Sequence, residues 1–540
     1  MHQTSLRPNG CKKSYSSHIL SDAQLTDVTV HFLVVDALPE ETIADIFLHC
    51  LPIEDGRSAS LDPKDAPVSL THVCRRWREI AVNYGRLGSS LRFKPHSGFV
   101  KGNPHLVFEL ASSALERCKR SKHLVELHFA GQFHRLSRDS CRILLKPFLV
   151  LNTSLTTLAL KSVPLGEIIE LPRGLFPALE SLALSFSRHL LNMQVWGMRG
   201  QLIRAFEDLP NLRRSAFNSR IFTKPIDVQL SLTWSQITHF LYMTNDPSVR
   251  PLLKDRLAPA TQLRYLSLEI GADDVAGSDL DLINDGPLAI QYDNLEWLTI
   301  NLWGSRNYVR YPLVLEYAAF PNLKTLRLDG PEWDFDKHRS WWPPALKERF
   351  IAKLKSFTHL ECFSLCVQGS SRTTFERIFR AIPGVTTLEL HIFYNYEFVF
   401  ETLTHQEDPT QSPLPHLSTL IIEAGHCEAH DIIADEDSDY EDGLQPINAE
   451  VFEEFLESRT QCPEEFRLRK VVVYGTYEAD LDETTVNFIW CLNGFRSRGL
   501  EVDLRVVKDE AKREVRINTD NLWLDRDPLF EERREARIVE

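Results

Sequence analysis

The six residues Leu263–Leu268, LRYLSL, carry apolar side chains at the first, fourth and sixth positions, and the same spacing returns along most of the chain. LVELHF, LTTLAL, LESLAL, LEWLTI, LKTLRL, LECFSL, VTTLEL and LSTLII fit it closely, while LRRSAF, ITHFLY and LRKVVV fit it loosely. The copies begin at Leu124, Leu155, Leu179, Leu212, Ile237, Leu263, Leu295, Leu323, Leu360, Val385, Leu417 and Leu468, most of them 24 to 37 residues apart. Apolar residues at alternate positions of so short a stretch read as a strand with one face on a core. A strand recurring at this period is a repeat array, in which each copy buries its face against its neighbours.

Helical patterns lie between the strands. KERFIAKLKSF sets Phe350, Ile351, Leu354 and Phe357 on one face, and TTFERIFRAI does the same with Phe375, Ile378, Phe379 and Ile382. In FPALESL, LPNLRR, FPNLKTL and LPHLSTL a proline stands just before the strand, where a missing N–H costs nothing. A short strand of this pattern with a returning helix resembles the leucine-rich repeat. The resemblance implies an irregular solenoid over residues 104–508, with the strands lining a concave surface.

Residues between the inward positions then face outward along that surface: Glu126, His128, Arg214, His239, Leu241, Met243, Tyr265, Glu269, Trp297, Asn301, Arg327, Asp329, Glu389, His391 and Tyr474. Leu241, Met243, Tyr265 and Trp297 belong to consecutive repeats. They predict an apolar ridge with polar flanks, the composition of a protein-binding centre, where a protein substrate would dock. The alternative is that neighbouring loops cover the ridge.

The 540 residues exceed one ordinary domain core. Lys plus Arg number 61 against 75 Asp plus Glu, a net charge of -14, which opposes binding to a phosphate backbone as the main task. The ten cysteines form no CxxC pair and read as reduced thiols of an intracellular protein. No signal-peptide core opens the chain and no run reaches the roughly 18 apolar residues of a membrane span, so a soluble protein of cytosol or nucleus is expected. Residues 1–35 are polar without a clear period and read as a disordered N-terminal segment, and residues 509–540 read as a charged C-terminal tail.

Ahead of the repeats, DALPEETIADIFLHCLP opens with Pro39, Glu40 and Glu41, the chemistry of a helix start, and places Ile43, Ile46, Phe47 and Cys50 on one face. SLTHVCRRWREIAV, Ser69–Val82, continues the same period through Leu70, Val73, Cys74, Trp77, Ile80 and Ala81. Arg75, Arg76 and Arg78 fall on its flanks and back, with Glu79 four residues from Arg75.

LPEETIADIFLHCLP, LTHVCRRWREIA and GRLGSSLRF together resemble an F-box, with Gly88 where the family often has tryptophan. The expected fold class is α/β, a short all-helical F-box module at 36–93 followed by the solenoid. F-box proteins with leucine-rich repeats are substrate receptors of Skp-cullin-F-box ubiquitin ligases. The resemblance implies a Skp-type adaptor and cullin as partners. It assigns Leu38, Pro39, Ile43, Ile46, Phe47, Val73, Cys74 and Trp77 to the F-box interior or the adaptor contact, without sorting them. The alternatives are that both helices cap the amino-terminal end of the solenoid, or that the chain is a scaffold unlinked to ubiquitin transfer.

Other chemistry is sparse. Cys362 with Cys366, and His426, Cys427 and His430, lack the further ligands of a metal centre. Residues 428–443 hold eight acids and no Lys or Arg, and read as a solvated loop. Its alternating Asp435, Asp437 and Asp439 fail as a calcium loop, because Tyr440 and Pro446 occupy the glycine and glutamate positions. Ser438, flanked by acids, is a candidate phosphosite. Without a phosphate-cradling glycine loop, G-x-S-x-G or H-E-x-x-H, the sequence reads as non-catalytic, with no cofactor, no metal and no nucleic acid.

Overall fold

The computed structural model describes residues 38–51, 59–60, 65–84, 87, 90–93, 123–128, 155–163, 165–186, 202–218, 229–244, 252–271, 290–303, 315–329, 344–365, 372–390, 396–406, 412–424, 448–475 and 491–506, with a few isolated positions between 109 and 153. Among them, fifteen strands make one sheet. They are β1 (Ala59–Ser60), β2 (Ser90–Phe93), β3 (His123–His128), β4 (Leu155–Val163), β5 (Ser181–Phe186), β6 (Arg214–Asn218), β7 (His239–Thr244), β8 (Tyr265–Gly271), β9 (Trp297–Trp303), β10 (Thr325–Asp329), β11 (Cys362–Leu365), β12 (Thr387–Leu390), β13 (Thr419–Ala424), β14 (Lys470–Gly475) and β15 (Glu501–Val506). Each strand pairs in parallel with the next along the chain. Parallel neighbours in sequence order require a return path on one side for every strand, which makes the sheet a solenoid wall.

The repeat pattern states how each coil closes. In the regular motifs the first apolar residue precedes its strand and ends a tight turn: Leu179 N–H donates to Phe176, Leu263 to Ala260, Leu295 to Tyr292, Leu323 to Phe320 and Leu417 to Leu414. Both ends of these turns are buried, and proline follows Phe176, Phe320 and Leu414 as the second turn residue, where its fixed φ suits the bend. Neighbouring coils are then stitched by backbone bonds. Arg264 N–H donates to Thr238, Glu296 to Arg264, Lys324 to Glu296 and Glu361 to Lys324.

Inside the wall, the pattern's inward positions form one continuous apolar core from Ile43 to Val502. The loosest copy, LRRSAF, puts Ser215 where its neighbours place Leu182 and Phe240, and its buried hydroxyl has no hydrogen-bond partner. The helices α3 (Pro344–Leu354), α4 (Arg372–Ala381), α5 (Tyr396–Leu403) and α6 (Ala449–Gln461) follow one another on the far side of the coils. Their apolar residues Phe350, Leu354, Phe375, Phe379, Phe400 and Phe452 are buried, as the helical period predicts. Ion pairs cross between successive coils, Arg349 with Glu316, Arg377 with Glu348 and Arg372 with Glu401.

Among the described residues one cation enters the core. Arg459 of α6 is fully buried and donates Nε to the Leu403 carbonyl at 2.7 Å, Nη1 to Leu414 at 3.0 Å and Nη2 to Pro413 at 2.7 Å. Beside it, the His405 ring meets Ser412 Oγ at 3.3 Å through Nδ1 and stacks on Phe466. Burial, reinforced by the positive charge of Arg459, holds the His405 imidazole below its ordinary range. As pH falls below the ordinary value of 6.5, the unfolded chain takes up the proton first, so stability present above that pH is lost below it. Melting at pH 7.5 and 5.5 is expected to show a drop that His405→Gln reduces; an equal drop in both proteins removes His405 as its source.

Candidate functional site

Two surfaces concern function, one at the amino-terminal end and one on the outward face of the sheet, the wall that the leucine-rich-repeat resemblance expects to be concave. The first rests on α1 (Glu40–His49) and α2 (Arg75–Asn83). Glu40 and Glu41 sit in the first turn of α1 and favour its N-terminal dipole, while Ile43, Ala44 and Phe47 are buried. Phe47 meets Trp77 edge to face, with ring centroids 4.9 Å apart. That contact joins the two helices.

Leu70 to Ala81 does not form one continuous α-helical stripe. Ser69–His72 is a short 3-10 helix, and Cys74 is extended, its Sγ accepting the Trp77 N–H to cap α2. The break turns Val73 out of the apolar face, so it is 52% exposed. Ile46, on the back of α1, is 43% exposed, and Pro39 is also at the surface. Leu38, Cys74 and Trp77 are half-buried. The unsorted set thus divides into interior residues, Ile43 and Phe47, boundary residues, and an outward group of Pro39, Ile46 and Val73.

The arginines are not uniformly solvated flank either. Arg75 pairs with Glu79 at 2.9 Å in water, but Arg76 donates to the Leu38 carbonyl at 2.6 Å and Arg78 to that of Thr71 at 2.9 Å. Nor is the segment 36–93 all-helical. It supplies β1 and β2 to the large sheet, and its buried residues are continuous with the repeat core.

On the concave wall the outward positions line up in register. One row runs Arg214, His239, Tyr265, Trp297, Thr325, Cys362, Thr387 and Thr419; the next runs Ala216, Leu241, Ser267, Thr299, Arg327, Ser364, Glu389 and Ile421. Strand alternation therefore gives the direction of these side chains correctly. Their exposure is another matter.

Leu241, Met243 and Tyr265 are buried, with Leu241 and Met243 in an apolar cluster with Ala159, Ala183 and Ala216. The expectation of an exposed ridge is corrected at these three residues, and Trp297, half-buried, is the member at the surface. Ala159, Ala183 and Ala216 stand in register with Leu241 across the three preceding strands.

The aromatic members form a ladder instead. His239 stacks on Tyr265 and Tyr265 on Trp297, each at 5.8 Å between centroids. Trp297 Nε1 donates to Thr299 Oγ1 at 3.0 Å, and the Arg327 guanidinium lies over the indole ring, 4.9 Å from its centroid. Arg327 Nη2 reaches Glu389 at 2.9 Å, two strands away. Between them in register stands Ser364, fully buried, whose hydroxyl has no hydrogen-bond partner; Ser267 is a second such hydroxyl in the row. These polar groups left no sequence signature, since Arg327 and Glu389 are 62 positions apart.

Cys362 is half-buried on the concave row, while Cys366, His391, His426, Cys427, His430, the acidic stretch 428–443 and Ser438 lie outside the described residues. Among the described residues no group of three or more His, Cys, Asp or Glu side chains could hold a metal ion. No helix among them is long and apolar enough to cross a membrane.

No family model matches the chain. No curated protein matches it. Among solved structures, the "Crystal structure of TLR13-ssRNA13 complex" is similar over 68% of this chain and 54% of that chain, at 12% identity and a TM-score of 0.25. The chain thus spans about half the length of that structure, and a likeness this loose carries no inference about a ligand.

Proposed function

We propose that the chain is a non-catalytic substrate receptor, whose amino-terminal helices dock on a Skp-type adaptor and cullin and whose concave wall holds a protein. The observation that carries this reading is the outward group of the first module. Ile46 and Val73 are large apolar side chains exposed on the module whose Phe47 is buried against the half-buried Trp77, and a partner surface would cover them. The resemblance of LPEETIADIF and CRRWREI to the F-box supplies the identity of that partner.

Affinity purification of the full chain beside an Ile46→Ser, Val73→Ser variant tests it. Native chain is expected to recover adaptor and cullin, and the variant to lose both while keeping its melting temperature. Because neither side chain is buried, the fold tolerates the change. Recovery of interactors without cullin from the native chain favours the second reading, a scaffold without ubiquitin transfer. That reading has its own support, since β1 and β2 and the shared core make the same helices an end cap of the solenoid.

A further inference from the structure

We propose that Arg327 is the docking point on the concave wall for an acidic side chain of a protein partner, and that Glu389 occupies the place of that carboxylate when no partner is bound. The inference rests on the concave wall as a partner surface and is independent of the adaptor.

Accessibility decides which charge a visitor meets. In the Arg327–Glu389 pair the arginine side chain is 22% exposed and the glutamate 11%, so the arginine is the more accessible member, with its Nε buried and its Nη end toward the surface of the pair. The positions beside it, Thr325, Cys362 and Thr387, carry no charge, so no nearby cation on that row competes for an incoming carboxylate. Trp297 braces the guanidinium from one side through its ring face. A planar donor fork held in this way suits a carboxylate, which it can grip with two parallel bonds.

Ser364 supplies the independent observation. Its hydroxyl stands in register between Arg327 and Glu389, fully buried and without a hydrogen-bond partner. An orphaned buried hydroxyl is a standing cost of the unbound arrangement. If Arg327 turns to a partner's carboxylate, Glu389 loses its ion pair but has the Ser364 O–H on the adjacent strand to accept from. One carboxylate replaces another on Arg327, and the orphan is satisfied. The exchange leaves every charged group of the cluster with a partner.

The test is selection of a randomised ten-residue peptide library against the full-length chain, followed by titration of one synthetic selected peptide and its Glu→Gln or Asp→Asn version. The expected selection fixes one acidic position. Native chain then prefers the acidic peptide over its amide version by roughly tenfold, the range of one charge-assisted hydrogen-bond pair. Arg327→Gln abolishes the preference, Arg327→Lys keeps part of it, Glu389→Gln tightens binding by removing the internal competitor, and Ser364→Ala weakens binding with an unchanged melting temperature.

Selection without an acidic position, an acid preference that survives Arg327→Gln, preferential binding of single-stranded RNA, or no selection at all each overturn the proposal. Adaptor recovery measured on the same preparations separates this result from that of the module. Loss of the acid preference with adaptor recovery intact sinks the Arg327 site alone.

Discussion

Arg459→Met is expected to unfold the carboxy-terminal coils while leaving the earlier ones folded. The native guanidinium is fully buried, with three backbone carbonyls as acceptors and, among the described residues, no carboxylate. Burial pushes its pKa down to about 10, still well above neutral, so the group is charged at physiological pH. Its charge is costly to bury, and the three carbonyls offset the cost by accepting from it; that of Leu414 also accepts the Leu417 N–H.

Those carbonyls belong to Leu403, Pro413 and Leu414, the two sides of the connection between α5 and β13. Leu414 adopts φ of 48°, a left-handed conformation unfavourable for a branched side chain, and it also closes the turn into β13. Arg459 therefore clamps a strained connection. Methionine fills similar volume but donates nothing, taking the donor from the Leu403 and Pro413 carbonyls at roughly 1–3 kcal/mol each while Leu414 keeps the Leu417 N–H, less the relief of no longer burying a charge. A net loss of about 1–4 kcal/mol follows.

In a solenoid each coil leans on its neighbours, so the loss is local. Hydrogen exchange at 396–406, 412–424 and 448–475 should accelerate, with 263–303 unchanged. Arg459→Lys retains the charge but not the fork that spans three carbonyls, and should fall between. Unchanged exchange in the methionine variant would show that the clamp is dispensable.

The repeat motif made the inward core legible because burial on one face of a strand forces alternation, and alternation is visible in a line of letters. Leu266 and Leu268, or Leu326 and Leu328, could be assigned to the core from LRYLSL and LKTLRL alone. Direction was legible on the concave wall for the same reason, but coverage was not. Leu241 and Met243 point outward and are nevertheless buried, in a cluster with alanines of other strands that no local pattern marks.

Val73 shows a different limit. Its period is unbroken in sequence, yet the Cys74 thiol captures the Trp77 N–H and resets the helix by starting it again. The two-residue strand β1 carries too few letters to alternate. Arg459 looks like any helix arginine, since its partners are carbonyls 45 to 56 positions earlier, which no side-chain pattern marks.

Phe47→Ala is the second large effect, expected to unfold α1 and α2 and with them the adaptor surface. The phenyl ring is fully buried and makes the edge-to-face contact that ties the helices together. Removing a buried phenylalanine costs about 3–5 kcal/mol, and the aromatic pair adds about 0.5–1.5 kcal/mol. Ile43, Ala44, Leu70 and Ile80 remain buried around the site, and a loss on that scale has to be carried by these smaller contacts alone.

The bond from Arg76 to the Leu38 carbonyl fixes the start of α1 but cannot replace the interior. Exchange at 40–49 and 75–83 should therefore rise to that of an open chain. What happens next to β4 and β5 separates the two roles of the module. If the helices chiefly cap the solenoid, exchange at 155–163 and 181–186 rises too, because the shared core has lost its end. If their main task is to present Ile46 and Val73, those strands stay protected and adaptor recovery alone is lost. Protection at 40–49 that survives Phe47→Ala contradicts both, and would mean that the two helices are held by the sheet rather than by each other.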